Sequence, residues 1–295
     1  MNVFSSPEYV ASAHAFDTTR KAEWLAASLS RTPIRDIDLV VPQPLTATQV
    51  ATVHDIGYVQ AVQTGIPRDL AESQGFAWDD GLWSMVLASN GGVVAAALDA
   101  LEHAVSGSLS SGLHHARRER GDGYCTFNGL AIAAKCALDA GADSVLILDL
   151  DAHCGGGTAS LIGDDERIWQ LDTSVCGYDS YESSRRASVK VVANAVDYLD
   201  EIRASLNMVA KLGPPFGLCL YNAGMDPFEG CGTGGLPGIT GEMLAERERM
   251  VFEWCREHSL PVAFVLAGGY VGGQLTEDAL VDLHRLTLTA AAHPA

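Results

Sequence analysis

Positive charge is scarce in this chain: 19 lysines and arginines stand against 37 aspartates and glutamates in 295 residues, a formal net charge of −18. Such a field repels phosphate backbones, which argues against nucleic acid as a direct partner and favours a cationic peptide or polyamine. Acidic surface also serves solubility alone, so charge supports a cationic substrate without establishing one. Cysteine occurs seven times, an odd number with no CxxC pair. The expectation is reduced thiols in the cytoplasm and no disulfide framework. No uninterrupted apolar run reaches the length of a membrane span. Residues 1–12 lack the basic start and apolar core of a signal peptide, so no membrane association is expected. Internal repeats, low-complexity segments and linker-like boundaries are missing too.

What is present is a 47% hydrophobic fraction, ample for a core. Apolar β-type runs recur at residues 38–41, 144–148, 167–171, 216–221 and 262–266. Their continuous apolar character suits strands buried on both faces of a parallel sheet. Helices are expected between them: residues 91–105, stopped by Gly107; residues 130–140, stopped by Gly141; and a helix capped by Thr240 reaching His258, with Leu244, Val251, Trp254 and Cys255 facing the core. The reading is a single three-layer α/β/α domain over residues 1–295, with a predominantly parallel central sheet and ligands beyond the strands' carboxyl ends.

The run Asp149-Leu150-Asp151-Ala152-His153 falls at such an end. Alternation puts Asp149, Asp151 and His153 on one face of an extended segment, and several charges at a buried strand end need partners or a cation. A capped, solvated strand end would explain one carboxylate but not three aligned groups. Asp226, after the run at 216–221, supplies a second carboxylate at a strand end, although Asp before Pro227 also suits a turn. Together Asp151, His153 and Asp226 form a two-carboxylate, one-imidazole set with an open position, the pattern of a catalytic zinc.

Upstream, His114 and His115 are adjacent, so both reach one pocket only from irregular backbone. Asp149 is surplus to a three-ligand site and is assigned as the carboxylate that orients His114. Gly268-Gly269-Tyr270 follows the run at 262–266 and can aim a phenol at a developing oxyanion, although for this tyrosine taken alone ordinary packing is the favoured reading. Gly230-Cys231-Gly232-Thr233-Gly234-Gly235 fits GxGxxG literally, but neither a strand precedes it nor a helix follows it directly. It reads as a glycine-rich loop at the pocket rim.

In order, Gly112-Leu113-His114-His115-Ala116, Gly123-Tyr124-Cys125-Thr126-Phe127-Asn128, Asp149 to His153, Asn222-Ala223-Gly224-Met225-Asp226-Pro227 and Gly268-Gly269-Tyr270 resemble the motifs of the histone deacetylase superfamily, which includes acetylpolyamine amidohydrolases and acetoin utilisation proteins. Weaker echoes occur at His14, Arg20 to Leu25, and Val53-His54-Asp55. The resemblance implies the parallel-sheet fold shared with arginases. It implies one catalytic zinc on Asp151, His153 and Asp226, a site that iron (Fe2+) or cobalt (Co2+) can also use. A structural monovalent cation such as potassium near Asp149, Asp151 and His153 is implied as well. His114 and His115 become tandem acid/base histidines, Tyr270 the carbonyl-polarising phenol, and Tyr124, with Gly123, Gly268 and Gly269, part of an acyl-amine tunnel. The implied reaction is metal-assisted hydrolysis of an acylated amine, peptide or polyamine.

Two departures stand out. Cys154 replaces the usual second histidine of the zinc segment, and Gly156 stands where the acid that orients the second tandem histidine would be. His115 must therefore use water, backbone or another residue, and residues 173–181 depart from the family pattern as well. A non-catalytic zinc-dependent reader of acyl-amines is the alternative that Gly156 motivates. An arginase-like dinuclear site is disfavoured, because Gly155 occupies the place of its extra carboxylate.

Overall fold

The computed structural model describes residues 1–12 and 17–293, so the echo at His14 lies outside the described residues. Its eight strands are β1 (Asn2–Phe4), β2 (Asp38–Val40), β3 (Val105–Ser108), β4 (Val145–Asp149), β5 (Ile168–Ser174), β6 (Ala187–Val191), β7 (Leu218–Gly224) and β8 (Val262–Ala267). They form one sheet in the order β2-β1-β3-β8-β7-β4-β5-β6, with every neighbouring pair parallel.

Helices cover both faces, and alternation along the central strands feeds two separate cores. Leu146 and Leu148 pack with Leu25, Ile202, Leu244 and Leu280 on one side. Val145 and Ile147 pack with Val94, Leu130 and Val59 on the other. The fold is thus the three-layer α/β/α sandwich expected of strands that are apolar on both faces.

All five apolar runs are strands, but not all are buried. β2 is an edge strand whose Asp38 and Leu39 are exposed, because it pairs only with β1. β1, β3 and β6 lack a comparable apolar run. β3 reads Val-Ser-Gly-Ser because the Phe264 ring of β8 lies across it; a Cβ at Gly107 would come within 2.1 Å of that ring. Gly107 is therefore a strand residue and not a helix stop. The preceding helix runs Leu82–His103 and ends at Ala104, which itself takes φ 69° and closes its N–H onto Ala100 O at 2.8 Å. Gly141 does follow Gly129–Asp139 in a left-handed conformation, and Thr240 does cap Gly241–Glu257 through Met243 N. By length and mean hydropathy, 1.4, Leu82–His103 could cross a membrane; 72% of that stretch is instead buried inside the fold. Its apolarity serves the core.

One buried polar network supports the strand ends from below. Arg247, fully buried on Gly241–Glu257, donates to Glu248 Oε1 through Nε (2.8 Å) and Nη2 (2.6 Å), and through Nη1 to the Tyr198 hydroxyl (3.0 Å) and Leu150 O (3.2 Å). Tyr221 OH donates to the same Glu248 oxygen at 2.8 Å. The network ties this helix to the segment between Asp149 and Asp151. Removing one member of a buried pair leaves an uncompensated charge. Glu248→Ala should accordingly cost about 3–5 kcal/mol of unfolding free energy by urea denaturation. A loss below about 1 kcal/mol would place this pair with weakly contributing surface ion pairs.

Candidate active site

Five strands that are consecutive in the sheet, β3, β8, β7, β4 and β5, each send a loop over the same carboxyl edge. These loops carry, respectively, His114 and His115, Tyr270, Asp226, Asp151 with His153, and residues 175–181. The convergence gathers chemistry from residues more than 150 positions apart.

β4 ends at Asp149, and the chain beyond it is irregular, so Asp149 does not share a face with Asp151 and His153 as strict alternation would require. Asp149 turns inward: its Oδ2 meets His114 Nδ1 at 2.8 Å and its Oδ1 accepts from Asn222 Nδ2 at 2.8 Å. Asp151, His153 and Asp226 turn the other way, and one donor atom from each falls within 4.8 Å of the others. His153 Nδ1 lies 3.2 Å from Asp151 Oδ1 and 3.1 Å from Asp226 Oδ2. At that distance Asp226 Oδ2 still makes no hydrogen bond of acceptable geometry, although it is fully buried. Burial, then the Asp151 charge, pushes the Asp226 carboxyl up to about 6. Two carboxylates and an imidazole with an orphaned oxygen between them fit a divalent cation of the zinc type.

The cluster is framed closely. A Cβ at Gly268, where φ is 56°, would lie 2.2 Å from Asp226 Oδ1, so only glycine lets this loop pass behind the carboxylate. Lys21, fully buried, donates to Gly268 O at 2.7 Å; burial lowers its pKa to about 7 against the pull of Asp226 and Asp151. Gly269 instead abuts Leu280 of the helix beneath.

His114 and His115 sit in a turn after Leu113, which has φ 55°, and their ring centroids are 4.0 Å apart. That irregular backbone is what lets neighbours face one pocket. His115 does have a carboxylate partner: Asp179 Oδ2, 2.9 Å from His115 Nδ1. Gly156, as expected, supplies none. The rings line a pocket of about 60 Å³ with Asp151, Tyr124 and Tyr270. It adjoins an open mouth of about 630 Å³ bordered by Gly123, Tyr124, His153, Tyr178, Gly234 and Tyr270. Tyr124 and Tyr178 are 51% and 46% exposed there, aromatic surface left bare at the entrance. Gly234 of the glycine-rich loop approaches Ala152 and His153, so the loop is a rim with no helix directly after it. Cys154 is a small buried residue whose thiol is pushed up to about 12 by burial, which disfavours the thiolate form. All seven cysteines are unpaired.

A profile of the histone deacetylase domain matches residues 14–284. The chain belongs to the histone deacetylase family. It is 31% identical over 205 residues to histone deacetylase 2 of Arabidopsis thaliana, covering 66% of this chain and 52% of that protein. It is 29% identical over 181 residues to acetylpolyamine amidohydrolase of Mycoplana ramosa, covering 50% of this chain and 52% of the relative. It thus spans about half the length of each. An uncharacterised protein of Picosynechococcus is 32% identical over 78% of this chain and 77% of its own length. Among solved structures, the HDA15 HD domain superposes with TM-score 0.80 at 17% identity over 100% of this chain and 90% of that one. An acetylpolyamine aminohydrolase from Burkholderia pseudomallei does so with TM-score 0.79 at 16% identity over 100% and 99%. Both establish the histone deacetylase family fold.

Some contributors carried little signal or none in the sequence. Tyr178 stands edge-on to His115 and His153 at 5.0 and 6.0 Å, and with Asp179 it comes from the loop that departs from the family pattern. His54 acts from behind. Its Nδ1 donates to Arg117 O (2.8 Å), while its Nε2 accepts from Asn128 N (2.9 Å). Asn128 Nδ2 in turn donates to His114 O, Ala116 O and Thr158 Oγ1. His54 is thereby fixed as a neutral tautomer, and burial lowers its pKa from 6.5 to about 4. The unfolded chain takes this proton near 6.5 and the folded chain only near 4, so stability is lost as pH falls through that window. The loss from this group is on the order of 2–3 kcal/mol. In His54→Gln, unfolding free energy should be lower at pH 7 but flatter between pH 6.5 and 4. Parallel pH profiles for the two proteins would remove His54 from the acid response.

Proposed function

We propose that this histone deacetylase family member is a metal-dependent deacylase that hydrolyses the amide of an acylated amine, with residues 1–295 acting as one catalytic domain. The observation that carries the reading is the Asp/His/Asp cluster facing two carboxylate-partnered histidines and Tyr270 across one small pocket. Asp151, His153 and Asp226 would hold the cation, zinc in the first instance, with iron or cobalt able to use the same ligands. When bound, such an ion supplies Lewis acidity toward a carbonyl and lowers the pKa of water.

The chain's own groups then divide the work. Asp149 holds the His114 Nδ1–H, which presents His114 Nε2 toward Asp151, 3.6 Å away. One imidazole of the tandem pair accepts the proton of the attacking water, and the imidazolium returns a proton to the departing amine. The Tyr270 hydroxyl donates to the carbonyl oxygen as charge develops on it. Tyr124 and Tyr178 offer aromatic faces to an aliphatic chain at the mouth, with Gly123 packed under His115 to keep the passage narrow. The net charge of −18 favours cationic carriers, acetyl-lysine peptides or acetylated polyamines, in diffusional encounter. A monovalent cation behind Asp149 belongs to the same reading, with Asp172, its register partner on β5, as a further buried acid. Unpaired thiols suit a reducing, cytoplasmic compartment. The alternative of a non-catalytic reader drew on His115 lacking a partner, and Asp179 removes that motive.

Zinc-reconstituted protein should release acetate from acetyl-lysine peptides or acetylated polyamines, and chelation should abolish the release. Tyr270→Phe should lower kcat by about 10²–10³-fold. Binding of acylated amine by fully zinc-loaded protein without turnover would favour the reader; equal rates in Tyr270→Phe would take the phenol out of the mechanism.

A further inference from the structure

Among the family's expected site groups, one is missing from its place: the acid at position 156 that would orient the second histidine. We infer that Asp179 has taken over this task, so that a carboxylate on the loop after β5, instead of one on the helix Gly156–Ile162, is the positioning residue of His115. The inference rests on the deacylase reading above.

The first support is space. A Cβ at Gly156 would lie 2.5 Å from Asp179 Oδ1, 2.8 Å from its Cγ and 2.3 Å from its backbone oxygen. The Asp179 carboxylate therefore occupies the room that a side chain at 156 would need. The two positions exclude one another, and glycine at 156 is the condition for an acid at 179.

The second support is saturation. Asp179 Oδ2 accepts from His115 Nδ1 at 2.9 Å and from Gly157 N at 3.0 Å. Oδ1 accepts from Arg117 Nη2, and Arg117 Nη1 also donates to Gly156 O at 3.2 Å. The carboxylate is 5% exposed and is paired with a guanidinium, which compensates its burial. Neither oxygen is spare, and the rotamer is held from three sides.

The third support is backbone. Asp179 has φ 57°, the left-handed region that Asp enters more readily than most residues, and the surrounding bonds hold it there. Asp tolerates this region in turns, and here the conformation presents its carboxylate to His115.

With its Nδ1–H committed to Asp179, His115 keeps its lone pair on Nε2, the tautomer a proton acceptor requires. Tyr178, next in the chain, stands edge-on to His115 at 5.0 Å. One loop thus both borders the entrance and sets the imidazole.

The test compares zinc-loaded full-length wild type, Asp179→Asn, Gly156→Ala and the double variant, with zinc content and circular dichroism as controls. Kinetics are read on an acetyl-lysine peptide and an acetylated polyamine, and imidazole N–H resonances by NMR, assigned with His115→Ala. Asp179→Asn should lower kcat by about 10–100-fold and change KM by less than about threefold. Gly156→Ala, which intrudes on the same carboxylate, should do likewise. Because both break one contact, the double variant should be no worse than the poorer single one. The downfield His115 Nδ1–H resonance should be present in wild type and lost in both single variants. Wild-type kcat in Asp179→Asn, losses that multiply, or a resonance that persists without the carboxylate would each overturn the inference. Should Asp179→Asn fail to fold, Gly156→Ala carries the test. Should wild type show no turnover, the deacylase reading fails, and the resonance alone decides whether Asp179 orients His115.

Discussion

Four carboxylates, Asp149, Asp151, Asp172 and Asp226, are buried together around the carboxyl ends of β7, β4 and β5, and the surrounding structure is arranged to compensate their charge. Asp149 is answered by His114 and Asn222, Asp172 by Gly155 N at 2.6 Å and by Ser174, and Asp151 by the backbone and ring of His153. Burial and the neighbouring Asp149 charge still hold the Asp172 carboxyl well above its usual range. One oxygen, Asp226 Oδ2, is left over. A low-dielectric interior makes an under-compensated carboxylate costly, so a set of buried acids demands compensation, and Asp151, His153 and Asp226 are placed where they could hold a cation.

That demand explains what lies behind the site as well as what lines it. Arg247 and Glu248 pin the Asp149–Asp151 segment to a core helix through Leu150 O, while Lys21 steadies the loop behind Asp226 through Gly268 O. His54 and Asn128 hold the tandem histidines' backbone through carbonyls alone, leaving both imidazoles for the pocket. Rigid elements thus fix the Asp/His/Asp cluster on one side and the tandem histidines on the other. The entrance is built of loops, and there aromatic surface is left exposed.

The legible and illegible parts of this arrangement divide on physical lines. The central strands were readable because strands buried on both faces must be continuously apolar. β3 was not, because Gly107 and two serines fill a strand that Phe264 crowds from its neighbour, a fact of packing without local trace. The end of the helix before it was hidden in a similar way: Ala104, an ordinary residue, makes the left-handed turn for which glycine was the expected signal. Asp151, His153, Asp226 and the His114–Asp149 pair were readable because an ionisable residue that closes an apolar run is costly to bury unless it binds or pairs with something.

Asp179 was beyond reach. It sits 64 residues from His115, on a loop without regular structure, and nothing in the order of residues says that Gly156 has emptied a space for it. The amino-acid sequence by itself determined the layered parallel sheet, the Asp/His/Asp cluster at the strand ends and the family, because apolar runs and charged strand ends are local consequences of burial. Only the tertiary structure decided which acid serves His115, since that depends on volumes contributed by segments that meet nowhere but in the folded chain.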